Sequence, residues 1–315
     1  MRIRDNVPDV VLLGLVGLAG ATGFVAGSRH LLVRQAAAAR AAIGKPLGEE
    51  APRADKVYKK RFGDPVDLLL LGDSIAAGLG AESPGHTPGA RLAKYVARAT
   101  GRSVRLRTAA VVGSESSALA DQVAGLRTSY RPDVAVIIVG GNDVTHRVAT
   151  SESVAHLREA IRLLRRRGAG VVVGTCPDLG MLRPVPQPLR ALGSRASRTL
   201  AHAQQAAALA EGAYAVSLST VVGPFFITNP DEMFSLDRFH PSSTGYKRTA
   251  KAMLPSVLAA LGAAETLPLG HHAPAAGDAT ADDDTTADDA TEGEAPSVGD
   301  PDDPVRAPLA VDHQV

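Results

Sequence analysis

Five residues of the chain have types and positions that could together cleave an acyl bond. Ser74 lies in a Gly-Asp-Ser-Ile stretch directly after an apolar run, where its hydroxyl could act as a nucleophile. Asn142 follows two glycines and could donate its side-chain amide to a developing oxyanion, as could the backbone N–H of Gly113. His240 comes three residues after Asp237, a spacing at which the carboxylate can face one ring nitrogen while the other takes a proton from a serine.

Each of these residues also has a purely structural explanation. The serine could cap a helix, the asparagine could close an Asx turn, the glycine could sit in a turn, and the histidine could be a surface residue before a helix. A second Asp-x-x-His, formed by Asp143 and His146, competes with the first for the role of base. We favour His240, because Asp143 follows the two glycines and is expected to accept hydrogen bonds from nearby backbone N–H groups.

The elements that would position these residues alternate along the middle of the chain. Apolar runs of strand length predict strands at 66–71, 104–112, 134–139, 171–173 and 214–218. Apolar periodicity predicts helices at 91–100, 116–126, 151–167, 189–210 and 244–261. This alternation favours an α/β fold with a parallel sheet and helices on both faces. Ligands bind outside the carboxyl ends of such strands, and the five candidate residues fall in the loops there.

Taken in order, these motifs resemble the SGNH hydrolases, also called the GDSL esterase/lipase family. The matching blocks are Gly72-Asp73-Ser74-Ile75, Gly140-Gly141-Asn142-Asp143 and Asp237-Arg238-Phe239-His240, with Ile75 where the family often has leucine. The family's second block is reduced to Gly113. The resemblance covers about residues 64–262. It implies a three-layer α/β/α sandwich with a mostly parallel five-stranded sheet, the flavodoxin-like fold of that family.

The resemblance also implies a serine hydrolase that cleaves carboxylic esters through an acyl-enzyme. Ser74 would be the nucleophile, His240 the general base and then acid, and Asp237 the residue that orients the imidazole. The oxyanion hole would comprise the backbone N–H groups of Ser74 and Gly113 and the side-chain amide of Asn142. Neither a metal nor a cofactor is implied.

The substrate is less closely defined by the sequence. Apolar side chains in loops on the active-site side could line an acyl pocket, although ordinary loop packing explains them equally well; they are Met181, Leu182, Phe225, Phe226, Met233 and Phe234. We favour an ester with a short to medium acyl chain. The alternatives are an O-acetyl esterase acting on a glycan, a thioesterase or lysophospholipase at a membrane, and a membrane-tethered binding protein without activity. A narrow apolar slot at Ser74, as opposed to a wide polar groove, would distinguish among the esterases.

The two ends of the chain differ from its middle. Residues 1–27 contain an apolar run from Val10 to Ala26, which predicts a signal anchor or a signal peptide, with a buried core helix as the third possibility. The protein is therefore expected to be anchored to a membrane or exported, with the side of the membrane left open. Residues 28–62 are interpreted as a stalk, 63–263 as the catalytic domain and 264–315 as a disordered acidic tail.

Charge and cysteine content narrow the remaining classes. The formal net charge is +1, and the basic residues show no interleaving with aromatic residues, so no nucleic-acid binding is expected. The single cysteine, Cys176, permits no intramolecular disulfide and follows an apolar run, which favours a buried thiol over a nucleophile. We expect a monomer whose partners are a small-molecule, lipid or glycan ester and, through residues 1–27, a membrane.

Overall fold

The structure is a computed structural model that describes residues 28–275. Its strands are β1 (Val57–Tyr58), β2 (Pro65–Gly72), β3 (Ser103–Thr108), β4 (Val134–Ile138), β5 (Gly170–Gly174), β6 (Tyr214–Val216) and β7 (His271–His272). They form one seven-stranded sheet in the order β1-β3-β2-β4-β5-β6-β7. The inner neighbours pair in parallel, whereas β1 and β7 pair antiparallel with the strand beside them.

The helices connect these strands and cover both faces of the sheet. They are α1 (28–43), α2 (Ser74–Ala77), α3 (Pro88–Thr100), α4 (Leu119–Ala124), α5 (Gly141–His146), α6 (Thr150–Arg166), α7 (Leu189–Ala210), α8 (Leu218–Val221), α9 (Gly223–Thr228), α10 (Pro230–Met233) and α11 (Ser243–Ala260). Short 3-10 turns occur at Lys60–Phe62, Pro84–His86, Ser116–Ala118 and Leu179–Met181. The five predicted strands and five predicted helices are all present, but β3 ends four residues before its predicted end, and the helix predicted at 116–126 is a 3-10 turn followed by the six-residue α4.

The core lies in two layers, one on each face of the sheet. Strand β2 shows the arrangement, because side chains alternate along a strand. Leu68 and Leu70 pack with α3 and α11, whereas Leu69 and Leu71 pack with α4, α6 and α7. All four leucines are almost fully buried, and each contributes about 1.5–3 kcal/mol to the free energy of unfolding. The predicted α/β/α architecture is confirmed, and the sheet has seven strands where five were expected.

Both ends of the predicted catalytic domain extend further than the sequence indicated. Part of the expected stalk belongs to the sheet: β1 pairs with β3, and Tyr58 is buried with its hydroxyl donating to the Ala54 carbonyl at 2.7 Å. At the other end β7 pairs with β6, although residues beyond 263 were expected to be tail. Two-residue edge strands bury too little apolar surface to leave a periodic pattern, which is why both were missed.

The predictions for the termini stand apart from this fold. The apolar segment of residues 1–27 and the part of the acidic tail from 276 onward lie outside the described residues, so the signal anchor or signal peptide stays a prediction. Within residues 28–275, no helix combines the length and the apolar character that crossing a membrane requires.

Candidate active site

Ser74 lies where β2 ends and α2 begins. Gly72 adopts φ 125°, and a Cβ at this position would come within 1.8 Å of the Ile138 carbonyl oxygen, so only glycine lets β2 turn this close to β4. The helix cap is Asp73, whose carboxylate accepts the Ile75 backbone N–H at 2.9 Å. The alternative that Ser74 itself caps the helix is therefore wrong.

A chain of hydrogen bonds connects Ser74 to the loop before α11. His240 Nε2 lies 2.9 Å from Ser74 Oγ, and His240 Nδ1 lies 2.6 Å from Asp237 Oδ2. The other oxygen of Asp237 accepts the Ser235 hydroxyl at 2.9 Å and the backbone N–H groups of Phe239 and His240 at 3.0 and 2.9 Å. With both carboxylate oxygens occupied, the carboxylate and the imidazole are held in one orientation relative to the serine.

The charge state of Asp237 follows from the same contacts. Burial raises the pKa of Asp237, but the hydrogen bonds from the His240 ring and from the backbone N–H groups of Phe239 and His240 outweigh it and lower the pKa below its usual value. Asp237 is therefore an ionised carboxylate at neutral pH. A carboxylate in contact with Nδ1 can stabilise an imidazolium at the moment when that ring accepts a proton.

Gly113 and Asn142 reach the same region from two other strand ends. Gly113 adopts φ 83° in the loop after β3, and Asn142 lies in the first turn of α5. The Asn142 amide nitrogen donates to the Ser114 carbonyl at 2.8 Å, which uses one of its two hydrogens. Asn142 lines a cavity together with Ser74, and it lines an adjoining groove together with Gly113 and His240.

The cavity beside Ser74 is narrow and apolar, with a volume of about 60 Å³. Four of the six predicted pocket residues line it: Met181, Leu182, Phe226 and Phe234. Two do not. Phe225 lies under the Arg248 guanidinium, 4.4 Å from its ring centroid, and Met233 is buried in the core. The sequence could not separate these residues, because short helices at 223–233 direct neighbouring side chains to opposite sides.

Further lining residues were missed, because the sequence analysis named pocket candidates only at 181–182, 225–226 and 233–234. Ile75 and Leu218 are among them, as is Val222 between α8 and α9. Leu218 was expected at the end of a strand that in fact stops at Val216. Their position just past the carboxyl ends of β2 and β6 is the signal that would have found them.

Asp73 is a buried carboxyl that the sequence analysis did not single out. Burial raises its pKa to about 6; the Ile75 backbone N–H and His240 oppose this shift, and Asp143 adds to it. Cys176 is buried, and burial raises the pKa of its thiol well above the usual value, which agrees with the expected structural thiol. A thiol in that state is a poor nucleophile.

Comparisons with known proteins identify the family. The model of the GDSL-like lipase/acylhydrolase family matches residues 70–248. The GDSL-like esterase Rv1075c of Mycobacterium tuberculosis (strain ATCC 25618 / H37Rv) is 42% identical over 255 residues, which cover 77% of this chain and 81% of that protein.

Solved structures give the same result at the level of the fold. The crystal structure of TesA is 27% identical with a TM-score of 0.50, over 62% of this chain and 99% of that one. The psychrotrophic esterase EstA from Pseudoalteromonas sp. has the same TM-score and the same coverage at 18% identity, and it shows a likeness of fold alone. On the family match and the sequence identity, the chain belongs to the GDSL-like lipase/acylhydrolase family and is a hydrolase that acts on esters.

Proposed function

We propose that the chain hydrolyses carboxylic esters through an acyl-enzyme formed on Ser74, with His240 as general base and Asp237 as its orienting carboxylate. The observation that carries this proposal is the hydrogen-bond chain Asp237–His240–Ser74, with distances of 2.6 and 2.9 Å. Both distances are within the range of a working proton-transfer pair.

The chemistry follows from these contacts in two halves. Ser74 Oγ attacks the ester carbonyl carbon while His240 Nε2 accepts the hydroxyl proton, and Asp237 stabilises the imidazolium. The tetrahedral intermediate collapses, the bond from the acyl carbon to the alcohol oxygen breaks, and Nε2 gives its proton to that oxygen. Water then attacks the acyl-enzyme with His240 again as base, which releases the acid and restores the Ser74 hydroxyl.

The negative charge of the tetrahedral intermediate requires donors at the same place. We assign this role to the backbone N–H groups of Ser74 and Gly113 and to the remaining hydrogen of the Asn142 amide. The bond from Asn142 to the Ser114 carbonyl supports this assignment, because it holds the amide in place before substrate binds. Loss of one such donor typically costs about 2.7–4 kcal/mol of transition-state stabilisation.

The narrow cavity supports a short acyl chain. A volume of about 60 Å³ holds about four water-sized groups, since each needs roughly 10–15 Å³. Phe226 and Phe234 meet edge to face at 4.8 Å between ring centroids and close the cavity on one side. Acetyl to butyryl groups therefore fit, whereas a long acyl chain would have to displace buried aromatic rings.

The nucleophile is tested by covalent labelling together with kinetics. A fluorophosphonate probe should label the wild-type protein at Ser74, and Ser74→Ala should lose both labelling and ester hydrolysis while keeping the wild-type melting temperature. Ser116→Ala is the matched control, because Ser116 is a buried serine whose hydroxyl has no hydrogen-bond partner within residues 28–275. Labelling at Ser114 or Ser116, or hydrolysis by Ser74→Ala at the wild-type rate, would overturn the assignment.

A further inference from the structure

A second space reaches the candidate catalytic residues beside the acyl cavity, with which it shares Asn142, Leu179, Leu182 and Phe239. It is an open groove of about 1110 Å³. Its walls are α1, the loop at Gly113, the end of α5 and the first turns of α7, and Asp237 and His240 lie at one end. The groove is far larger than the acyl cavity, so it can hold a substrate group that the cavity cannot.

The positions of Ser74, His240 and Asn142 indicate which part of the substrate lies in which space. Ser74 lines the cavity and not the groove, His240 lines the groove and not the cavity, and Asn142 lines both. The ester carbonyl therefore lies at the junction, beside Asn142. His240 Nε2 has to protonate the departing alcohol oxygen, so the alcohol lies on the groove side and the acyl chain on the cavity side.

One wall of the groove comes from the segment that precedes the catalytic domain. Helix α1 contributes Leu32, Ala36, Ala39, Arg40 and Ile43. These positions follow the three-to-four-residue spacing of one helix face, so α1 presents a continuous and mainly apolar stripe to the groove. Within the described residues Ala39 is buried, whereas Leu32, Ala36 and Ile43 are half-buried and Arg40 is exposed, so most of the stripe is accessible to a ligand.

Helix α1 is held against the opposite wall by a polar contact. The side-chain carbonyl of Gln35 accepts the Leu189 backbone N–H at 3.1 Å, and its amide donates to the Gln187 carbonyl. Leu189 is the first residue of α7, where backbone N–H groups have no partner within the helix. Gln35 therefore fixes α1 at a defined distance from α7 and so sets the width of the groove.

The opposite wall is apolar as well. Leu189 and Leu192 of α7 and Val185 before it line the groove, and Leu192 remains 49% exposed. Exposed apolar side chains grouped around a cleft favour a mainly apolar ligand, and the charged side chains of the same lining, Arg40, Lys45 and Arg190 among them, leave room for a polar end on that ligand.

We propose, on the basis of the function proposed above, that this groove binds the alcohol part of the substrate. The substrate class is then a short-chain acyl ester of a large, mainly apolar alcohol, and α1 is the specificity-determining wall. The alcohol is released through the groove along α1, and the acid is released from the acyl cavity.

Two isomeric esters test this assignment on the wild-type full-length protein. Decyl acetate and ethyl decanoate have the same atoms and closely similar hydrophobicity, but the long chain is on the alcohol in one and on the acyl group in the other. We expect kcat/KM for decyl acetate to exceed that for ethyl decanoate by at least about tenfold, which corresponds to about 1.4 kcal/mol. Equal values, or a preference for ethyl decanoate, would overturn the assignment.

A pair of variants on α1 tests the wall itself. Ala36→Trp places a large ring in the groove, whereas Ala38→Trp places the same ring on an exposed position of the same helix outside the groove lining. We expect Ala36→Trp to lower the ratio of kcat/KM for decyl acetate to that for ethyl acetate at least about tenfold, mainly through KM. Ala38→Trp should keep the wild-type ratio.

The outcomes separate this inference from the proposed function. If Ser74→Ala hydrolyses both esters at the wild-type rate, the proposed nucleophile is wrong. If Ser74→Ala is inactive but the two tryptophan variants have the same ratio, the nucleophile stands and α1 is not a wall of the alcohol site. Wild-type protein that hydrolyses neither ester would contradict both. The isomer comparison tests the orientation of the ester, which the short acyl cavity alone also predicts. If Ala36→Trp fails to fold, the wild-type ratio of kcat/KM for decyl acetate to that for ethyl acetate tests the groove, and a ratio of one or less would overturn its assignment.

Discussion

The chain contains two Asp-x-x-His pairs near the same strand ends, and they form opposite arrangements. In the first pair, the Asp237 carboxylate lies 2.6 Å from the His240 ring, and the histidine side chain is only 13% exposed. In the second, the Asp143 carboxylate accepts the Ser116 backbone N–H and the Ser153 hydroxyl, the latter at 2.7 Å. His146 is 58% exposed and its Nδ1 lies 2.6 Å from Glu115.

The backbone accounts for this difference. Asp143 and His146 lie in helix α5, where Asp143 faces the core and His146 is in the last turn. Asp237 and His240 lie in a loop in which Arg238 adopts φ 55°. That left-handed residue turns the chain so that one Asp237 oxygen accepts two following backbone N–H groups while the other meets the ring. Sequence spacing identifies such a pair, but the local turn decides whether the two side chains meet.

The largest effect is expected from two single variants in which His240 or His146 is replaced by alanine. His240→Ala removes the only base in contact with Ser74 among the described residues, and we expect kcat for a short ester to fall by about four to six orders of magnitude. His146→Ala should keep kcat within about tenfold of wild type, or about 1.4 kcal/mol in the barrier. Steady-state kinetics on a single acetate ester measure both, and the reverse ranking would assign the base to His146.

The aspartates should separate activity from stability. Asp237→Asn should lower kcat by about two to four orders of magnitude, because an amide cannot hold the imidazole in the correct tautomer. Asp143→Asn should leave most of the activity and lower the free energy of unfolding by about 1–3 kcal/mol, since one of the buried donors now bonded to Asp143 loses its acceptor. Urea unfolding measures the loss of stability and steady-state kinetics measures the loss of kcat, and together they distinguish the two variants. A greater loss of kcat in Asp143→Asn would contradict the comparison.

Asp73 interacts electrostatically with His240 of the first pair and with Asp143 of the second. Its raised pKa predicts that the free energy of unfolding depends on pH. Its folded-state pKa of about 6 lies above the unfolded value of about 3.8, so the folded protein binds this proton more tightly. The contribution of Asp73 to the free energy of unfolding therefore decreases as the pH rises from about 3.8 to about 6, and it is lowest above about pH 6. Between about pH 4.5 and about pH 7 the loss should be on the order of 2 kcal/mol.

Asp73→Asn should remove that part of the pH dependence, because asparagine keeps the helix cap and does not titrate. The measurement is the difference between wild-type and variant unfolding free energies at the two pH values, in which the other titrating groups cancel. A difference that does not change with pH would mean that Asp73 is ionised throughout this range.

The smallest effect should come from the left-handed arginines of the two pairs. Arg238 lies between Asp237 and His240, and Arg147, at φ 63°, follows His146. A β-branched residue is strained at such a φ, so Arg238→Val and Arg147→Val should each lower the free energy of unfolding by about 1–2 kcal/mol. Only Arg238→Val should also lower kcat, because only that turn orients a catalytic residue. Glycine at position 238 should restore both properties.

The parallel strands and long helices could be predicted because their apolar patterns span whole elements. Predicted and observed bounds of α7 agree, and β4 differs by one residue at its end. The edge strands could not be predicted from the sequence, because β7 consists of only two histidines and depends on its pairing with β6. Contacts between distant segments leave no local pattern: the bond from Gln35 to Leu189 joins residues 154 positions apart. For that reason the groove beside α1 was not anticipated.

Within the candidate site, too, only residues that lie in local sequence motifs could be predicted. Ser74, Asn142, Asp237 and His240 were recognisable because each lies in a short motif with a distinctive residue order. The surrounding apolar residues have no such order. Phe225 and Phe226 are neighbours in sequence, yet one lies below Arg248 and the other lines the cavity, because consecutive residues in a helix point in different directions.

The bond between His240 and Ser74 joins positions 166 residues apart. During translation, β2 and α2 leave the ribosome long before the loop that carries His240. Helix α11, which anchors that loop and donates the Tyr246 hydroxyl to the Leu79 carbonyl at 2.6 Å, follows later still. A nascent chain interrupted before residue 240 would contain Ser74 without His240, and one interrupted within α11 would lack part of the helix that anchors the His240 loop. If His240 is the base, hydrolytic activity begins only after the His240 loop and α11 have been made, and it can serve as a readout of how far an individual chain has been made.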